Sequence, residues 1–337
     1  MKFEFYQKNL KKYLTGIKKK RRDSLLVMEV KNNKVFFIAI NSRMSYDILQ
    51  SENLKDICIG VNFDDLFRVI KDNKNITVSF KEDNLAFAIN GFTYPIKYYE
   101  LVDEFFFEED LSESIAFSYN LENFIQLLSY RKMFDKNMKT SDKLFLSSNG
   151  WMVTDGSVMF ELKENKELER DYVLTNTVYS FLTLLKSLKT QELKMYLKKE
   201  VIVFKVGNFK WGEAILDDKG LHIEKYMPEK EIKIKGVIKD NKKLIKDLKS
   251  LKRIAELKTE GNAKSFLLSF EKTGLYIDKF NINSVSYPDF KIRISMEYLI
   301  KTLEASKKDV SLKFYDDLAP IYYENNNIHG LIMPMTI

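Results

Sequence analysis

Three pairs of neighbouring carboxylates have the most obvious capacity for chemistry in this sequence, because clustered acidic oxygens can bind a metal ion. They are Asp64-Asp65, Asp217-Asp218 and Asp316-Asp317. The first pair lies in the predicted opening turn of a helix, where the helix dipole favours acidic side chains. The other two pairs lie in predicted turns, where Asp is common. We therefore expect these residues to stabilise turns and a helix end, and we predict no metal site.

Other catalytic signals in the sequence are weak. One cysteine, Cys58, and two histidines, His222 and His329, are too few for a Cys/His metal site or a disulfide framework. Cys58 lies in an apolar run and is expected to be a small buried side chain, and His222 is expected in a surface loop. We find no glycine-rich phosphate loop and no Ser-His-Asp order. The sequence therefore predicts a protein that is not an enzyme and needs no cofactor.

Composition limits the class of protein and of partner. The chain has 337 residues, of which 45% are hydrophobic and 31% charged, as expected for a folded soluble protein of two or three domains. It has no apolar run near the roughly 18 residues of a membrane span and no signal-peptide pattern, so we expect a cytoplasmic protein without a membrane partner. The formal net charge of +7 favours a polyanionic partner.

The closing stretch, residues 327–337, is apolar where chain ends are usually polar and frayed. Pro334 cannot donate to a strand ladder, so a strand that begins at Ile328 should finish near Met333. The residues alone leave two interpretations open. The stretch is either a core strand with a short apolar tag or a surface that awaits a partner.

Helices and strands must position the residues named above. One pattern of helix and strands occurs three times in the sequence. Helices with an apolar face are predicted to begin at Asn62, Asn176 and Ser295, about 115 residues apart. Three β-patterned runs separated by turn residues follow each helix. The runs are 76–80, 85–89 and 92–99, then 193–197, 201–206 and 209–216, then 310–315, 320–323 and 328–333.

The other half of each repeat has the same order. A strand leads into a helix and then into further strands, so each repeat contains two β-α-β-β-β units. The strands are 2–5, 115–119 and 232–238, the helices 8–17, 121–134 and 242–257, and the further strands include 35–40, 151–154 and 275–280. The sequence thus predicts an α+β fold of three similar domains, with breaks near 108–113 and 228–231. The predicted domains are residues 1–110, 111–229 and 230–337.

Short motifs support one family resemblance. The chain opens with Met1-Lys2-Phe3 before a helix, has Val153-Thr154-Asp155-Gly156 in the middle domain, and has Ile332-Met333-Pro334-Met335 in the tail. With the three-domain pattern over essentially the whole chain, these features resemble the bacterial DNA polymerase III beta subunit, the β sliding clamp. That family has Ala-Thr-Asp-Gly and Val-Met-Pro-Met at the matching places. The chain would be a divergent member of it, of the kind that a phage or plasmid can carry.

The resemblance implies a ring of two chains joined head to tail, which encircles duplex DNA without reading its sequence. It also implies that DNA polymerase and the clamp loader bind through short peptide motifs. Two alternatives remain open: a clamp-fold decoy or regulator that binds such peptides without closing a ring, and a plain basic nucleic-acid-binding protein.

The resemblance places a peptide pocket between the middle and third domains. The matching positions here are Thr154, Gly156, Met159, Leu331, Met333, Pro334 and Met335. Two departures affect it: Ser157-Val158-Met159 stands where the family usually has His-Arg-Leu, and residues 220–226 replace Gly-Arg-Phe-Pro-Asp-Tyr. We therefore expect the pocket to persist with an altered preference.

The resemblance also assigns basic residues to DNA and apolar residues to the ring interface. The expected DNA-facing residues are Lys11, Lys12, Arg21, Arg22, Arg131, Lys132, Lys242, Lys246, Lys249 and Arg253. Contacts to phosphates would be salt-sensitive, although a solvated helix face would have the same composition. The expected interface residues are Phe92, Tyr94, Ile254 and Leu257, with ordinary core packing as the alternative. Family members are commonly acidic, so the basic charge of this chain predicts tighter association with DNA.

Overall fold

The computed structural model describes most of the chain. The residues outside the description are 19–24, 40, 72–73, 82–83, 102–115, 135–139, 141–142, 199, 230, 239–240, 259–264, 279, 284, 307–308, 326 and 335–337. The predicted break at 108–113, the predicted DNA-facing residues Arg21 and Arg22, and the predicted pocket residue Met335 lie outside it. For Leu257 the backbone alone is described.

Helices alternate with groups of strands along the described chain. Its first half contains β1 (Lys2–Gln7), α1 (Leu10–Lys18), β2 (Leu25–Lys31), β3 (Lys34–Ala39), β4 (Ser42–Glu52), β5 (Ile57–Asn62), α2 (Phe63–Val69), β6 (Lys74–Phe80), β7 (Asn84–Ile89), β8 (Phe92–Glu100), β9 (Ala116–Asn120), α3 (Leu121–Tyr130), β10 (Lys143–Ser147), β11 (Gly150–Thr154), β12 (Val158–Lys163) and β13 (Tyr172–Thr175).

The second half continues the same order. It contains α4 (Leu182–Ser187), β14 (Glu192–Leu197), β15 (Val201–Val206), β16 (Phe209–Leu216), β17 (Ile234–Ile238), α5 (Asn241–Lys258), β18 (Ser265–Glu271), β19 (Gly274–Ile277), β20 (Phe280–Asn283), β21 (Phe290–Ser295), α6 (Met296–Ala305), β22 (Val310–Phe314), β23 (Ile321–Asn325) and β24 (Ile328–Ile332). Short 3₁₀ helices lie at Arg131–Met133, Thr177–Phe181 and Ile223–Tyr226. No helix in the described part of the chain is long and apolar enough to span a membrane.

The chain packs into two compact units. The first contains residues 1–122 and 176–215, and the second contains residues 123–175 and 216–337. The predicted middle domain therefore contributes strands to both units, because its β14, β15 and β16 pack in the first and its β10 to β13 in the second. The boundaries of the three predicted domains stay a prediction.

Two of the three predicted helix starts are capped by the predicted residue. Asn62 accepts a hydrogen bond from the Asp65 N–H (3.1 Å), and Ser295 accepts one from the Tyr298 N–H (3.3 Å). At the third predicted start a 3₁₀ helix begins at Thr177, directly after Asn176, and the Asn176 side chain makes no cap bond. The buried carboxylate of Glu213 caps it instead, accepting from the N–H groups of Thr177 (3.0 Å) and Val178 (2.6 Å).

The predicted strands that follow the three helices are confirmed to within two residues at each end. The prediction of a single strand at 275–280 is wrong. These residues extend from β19 into the first residue of β20, and the two strands pair with each other. The reason lies at Asp278, which adopts a φ of 53°, and whose carboxylate accepts from the Leu267 N–H (2.9 Å). A left-handed residue with a side chain that binds backbone reverses the chain there.

In the first unit the pairing of β4 with β16 joins residues far apart in sequence. Met44 lies directly opposite Phe209 and Ser42 opposite Trp211. Helix α1 covers this face of the sheet, because the Tyr13 ring packs on Phe209 at a centroid distance of 5.9 Å. Gly16 allows the close approach of α1, since a Cβ there would lie 2.3 Å from the Phe181 ring.

In the second unit β12 pairs with β24, and a buried aromatic cluster covers one face of this pair. The rings of Tyr130 and Phe160 stack at a centroid distance of 4.1 Å. The hydroxyls of Tyr130 and Tyr323 share a hydrogen bond (2.5 Å), and Ser306 bonds the Tyr323 hydroxyl (2.6 Å). Because side chains alternate along a strand, the neighbours of Phe160 point to the opposite face.

Candidate peptide-binding site

The Thr-Asp-Gly motif forms the turn between β11 and β12. The buried Thr154 hydroxyl donates to the Val158 carbonyl (2.7 Å) and accepts from the Gly156 N–H (2.9 Å). One oxygen of the buried Asp155 carboxylate accepts from the N–H groups of Ser157 (2.9 Å) and Val158 (3.0 Å). The motif is thus a self-satisfied turn, and Thr154 positions the strand without being exposed to a ligand.

Gly156 and Asp155 link this turn to the surface and to α6. Gly156 has a φ of +93°, which favours glycine, and the space beside its Cα is open. The second oxygen of Asp155 accepts from the Tyr298 hydroxyl of α6 (3.3 Å). The turn is therefore fixed to α6 through Asp155, whereas the space beside Gly156 is accessible to a ligand.

The register set by this turn brings the predicted pocket residues together. Met159 lies directly opposite Leu331 in the antiparallel pair, and Val158 lies opposite Ile332. One further bond, from the Met333 N–H to the Ser157 carbonyl (3.1 Å), ties the tail to the turn. The predicted end of the last strand near Met333 is confirmed, because β24 ends at Ile332.

Met159 and Leu331 each belong to a small apolar cluster on the same face of the sheet. Met159 packs with Phe145, Met152 and Val173, and the half-buried Leu216 and Leu221 lie against them. Leu331 packs with Ile223, Tyr315 and Tyr322, and the half-buried Met227 and Ala319 lie against these. Residues 216–227 thus run beside both clusters. They include 220–226, the segment whose departure from the family was expected to affect the pocket.

Accessibility divides the predicted pocket residues into a floor and a rim. Met159 and Leu331 are buried and form the floor, whereas Met333 is 43% exposed. Pro334 is half-buried and Gly156 is exposed. An apolar floor with exposed apolar and glycine positions at its edge suits an extended peptide with aliphatic or aromatic side chains.

A titratable cluster, missed by the sequence reasoning, lies on the same face next to the floor. Glu161 is directly opposite His329, and His329 Nδ1 shares a hydrogen bond with the Tyr322 hydroxyl. Burial and then the nearby Glu224 carboxylate raise the pKa of Glu161 to about 7, while Lys163 opposes them. Burial, with Lys163 and Lys313, lowers the pKa of His329 against the effect of Glu324. Burial raises the pKa of Tyr322 as well.

The second histidine has a partner of its own. His222 Nε2 lies 2.7 Å from a carboxylate oxygen of Asp171, and both side chains are partly exposed. His222 precedes the 3₁₀ helix Ile223–Tyr226, next to the apolar clusters. The expectation of a surface loop position is compatible with this placement.

The predicted DNA-facing residues differ in how freely they project. On α1, Lys11 folds over the Phe67 ring, with its ammonium 3.6 Å from the ring centroid, and Lys12 donates to Asn9 (3.1 Å). Helix α5 presents most of its cations to solvent. Lys242, Lys246, Lys249 and Arg253 are exposed there, with Lys249 bound to Glu304 of α6 (2.5 Å). Lys132 is exposed and Arg131 half-buried in the 3₁₀ helix that follows α3.

The predicted interface residues that the structure describes are accessible. Phe92 is 67% exposed at the start of β8, and Tyr94 is half-buried. This half of β8, which contains Pro95, pairs with β7, and no described strand covers its other edge. Ile254 is 48% exposed on α5. Their exposure excludes ordinary core packing for Phe92 and Ile254, although single exposed apolar side chains are normal on a protein surface.

The carboxylate pairs occupy the places expected for them. Asp64 and Asp65 lie in the first turn of α2, and Asp316 accepts from the N–H groups of Leu318 (3.0 Å) and Ala319 (2.5 Å) within a turn. Asp218 pairs with Lys143 (2.7 Å). Among the described residues, no group of acids, histidines and cysteine is arranged to hold a metal ion.

Solved structures with the same fold are bacterial DNA polymerase III beta sliding clamps. The clamp of Pseudomonas aeruginosa bound to griselimycin is 16% identical, with a TM-score of 0.78 and full coverage of both chains. The beta subunit of Thermotoga maritima is also 16% identical, with a TM-score of 0.78. The match covers 100% of this chain and 99% of that chain. The Caulobacter crescentus protein is 14% identical, with a TM-score of 0.74 and full coverage of both chains.

These similarities confirm the predicted α+β clamp fold over the whole chain. No protein-family model and none of the curated proteins matches the sequence. The chain therefore has the fold of the beta sliding clamps, at an identity too low to carry their function with it.

Proposed function

We propose that this protein is a DNA sliding clamp, which closes a ring around duplex DNA and tethers a replicative polymerase. The observation that carries the proposal is the clamp fold over the full length of the chain. Such a ring holds DNA by topology and performs no reaction of its own. We further propose that it acts in the cytoplasm, at the nucleoid.

We assign partner binding to the face of β12 and β24 that bears Met159 and Leu331. Polymerase and clamp loader would each present an extended peptide whose apolar side chains rest on this floor, beside Met333 and Pro334. Gly156 leaves room for the peptide backbone at the turn. Ser157 and the buried Val158 provide neither a cation nor an imidazole at this turn, so we expect aliphatic anchors to contribute most of the affinity.

We assign DNA binding to the exposed cations of α5, supported by those near the end of α3. Lys242, Lys246 and Arg253 project from α5 into solvent. Ammonium and guanidinium groups on a helix bind phosphates without reading bases, so binding should weaken steeply with salt. The ring itself would form between the open edge of β8 at Phe92 and the exposed Ile254 of a second copy, head to tail.

The test is retention on circular and linear DNA. Labelled protein is loaded with a clamp loader onto nicked circular duplex and isolated by gel filtration, and half of the sample is then linearised. A clamp stays on the circle and is lost from the linear form, because it slides off the ends. Equal retention on both forms, or binding without a loader, would indicate a plain basic DNA-binding protein. A monomer that binds the partner peptides but is not retained on the circle would indicate a regulator that does not close a ring.

A further inference from the structure

The first unit contains a basic cavity that the clamp proposal does not use. It has a volume of about 660 Å³, and five cations line it together with Asp47, Tyr6 and Leu49. The cations are Lys8, Lys34, Arg43, Lys205 and Lys210. Asp47, the one carboxylate in this lining, is already paired with Lys34 (3.2 Å). The volume is within the range of sites that bind small ligands or a few peptide residues.

The sheet register explains why the cations gather there. Lys194 of β14, Lys205 of β15, Lys210 of β16 and Arg43 of β4 lie directly opposite one another on four adjacent strands. Directly opposite side chains point to the same face, and like charges in such pairs destabilise a sheet. Helix α1 packs on Phe209, whose side chain alternates with that of Lys210, so the cationic row lies on the face away from α1. Lys194 is paired with Glu192 (3.7 Å), and an anionic occupant of the cavity would add a favourable interaction with the row.

Arg43 provides a buried cation of fixed orientation in the lining of the cavity. Its side chain is 5% exposed, and the guanidinium carbon lies 3.6 Å from the centroid of the Phe36 ring. A planar guanidinium held in this way can bind a carboxylate with two parallel hydrogen bonds. In the second unit the outward pair on β12 and β24 is Met159 with Leu331, whereas here the outward pair on β4 and β16 is Arg43 with Lys210.

We propose that the basic cavity binds an acidic segment of a partner protein. The guanidinium of Arg43 covers Phe36, so that ring is not available for stacking with a nucleic-acid base. Leu49 and Tyr6 are 56% and 45% exposed at the cavity and offer contact to one apolar side chain of the segment. Carboxylates would bind Lys205, Lys210 and Arg43. The site is separate from the floor formed by Met159 and Leu331 and does not require a ring.

Fluorescence anisotropy at low salt tests the proposal on the full-length protein alone. The probe is a fluorescein-labelled twelve-residue peptide of alternating Glu and Gly with one central Leu. We expect the double variant Lys205→Gln/Lys210→Gln to weaken binding by about tenfold, as the loss of two charge-assisted contacts predicts. The matched control is Lys74→Gln/Lys97→Gln, which removes the same charge from exposed positions outside the cavity and should change binding by less than about twofold.

Each other outcome overturns the proposal. Equal loss in both double variants would mean general attraction to a basic protein, and no binding to wild type would mean that the cavity has no such ligand. Tighter binding of an oligo-dT that displaces the peptide would assign the cavity to nucleic acid. Thermal melts of both double variants verify folding, and the single variant Lys205→Gln is the substitute if the pair unfolds. DNA and loader are absent, so failure here leaves the clamp proposal untouched.

Discussion

At the scale of single residues, the Thr-Asp-Gly motif has a structural explanation. The family motif predicts Thr154 and Gly156 as pocket residues. Thr154 is buried, however, and its hydroxyl is hydrogen-bonded within the turn. The physical role could be predicted only in part, because Asx turns are local whereas the bond from Tyr298 to Asp155 spans 143 residues of sequence. The motif therefore marks the position of the site more than its contact surface.

The first prediction concerns Asp155, whose side chain satisfies two backbone N–H groups of the turn. We expect Asp155→Ala to lower the free energy of unfolding by about 1–3 kcal/mol, because it leaves buried donors without an acceptor. Asp155→Asn keeps an amide oxygen in place and should lose clearly less. Urea unfolding monitored by circular dichroism gives both values. Equal losses in the two variants would contradict the role assigned to the turn.

The second prediction concerns Glu161, whose pKa burial raises to about 7. Between its ordinary pKa near 4.5 and this value the folded state binds the extra proton, so its contribution to stability is lost as pH rises through about 7. Gln resembles the protonated acid. We therefore expect the melting temperature of Glu161→Gln to match wild type near pH 5 and to exceed it at pH 8.

The comparison between variant and wild type isolates Glu161 from the opposite effect of His329. The pKa of His329 is lowered, so its neutral form gains stability as pH rises through its ordinary value of 6.5. Glu297→Gln serves as a control, because the hydrogen bond from Lys301 lowers the pKa of Glu297 and the deficit of this variant should stay constant from pH 5 to 8. If the melting temperatures of Glu161→Gln and wild type changed in parallel from pH 5 to pH 8, the assignment would be refuted.

At the scale of elements, local signals were predictable and distant ones were not. Asn62 and Ser295 cap helices within three residues of sequence, so their pattern identifies them. Glu213 caps the helix at Asn176 from 35 or more residues away, and no local pattern could indicate it. The same holds for the opposition of Arg43 and Lys210, which depends on the pairing of β4 with β16 and not on either strand alone.

The third prediction concerns the tail that follows β24. Deletion of residues 333–337 removes the exposed Met333 and the half-buried Pro334 but leaves Leu331 and the whole of β24 in place. We expect at least about a tenfold loss of affinity for a labelled peptide with aliphatic and aromatic anchors, since one side of the apolar surface is gone. The dimer should persist. Anisotropy and sedimentation velocity measure the two properties on the same sample.

A matched variant separates tail loss from general loss of apolar surface. Ile232→Ser removes an exposed side chain from the segment before β17, outside both apolar clusters, and should leave peptide affinity within about twofold. Loss of the dimer on deletion of the tail would favour the alternative in which the tail is a structural strand end. Unchanged peptide affinity would remove the tail from the binding site.

At the scale of the whole molecule, the repeat was the most predictable property. Three similar patterns of helix and strands specify the fold because each repeats the same apolar periodicity, and agreement among copies outweighs errors at single elements. The pairing between copies was beyond prediction. β4 with β16 and β12 with β24 join segments from different predicted domains, and these joints create the basic cavity and the apolar floor.

The last prediction concerns assembly, which the open edge of β8 would mediate. Phe92 is 67% exposed, so Phe92→Asp should not affect the packing of one chain, yet it would place a charge in the proposed contact with Ile254 of a second copy. We expect wild type to sediment as a dimer at micromolar concentration and the variant to dissociate at least about tenfold more readily. Leu318→Asp, which changes a similarly exposed side chain in the second unit, should sediment like wild type. A wild-type monomer at micromolar concentration, near the 39.8 kDa of one chain, would exclude a stable closed ring and with it a clamp that retains DNA by topology.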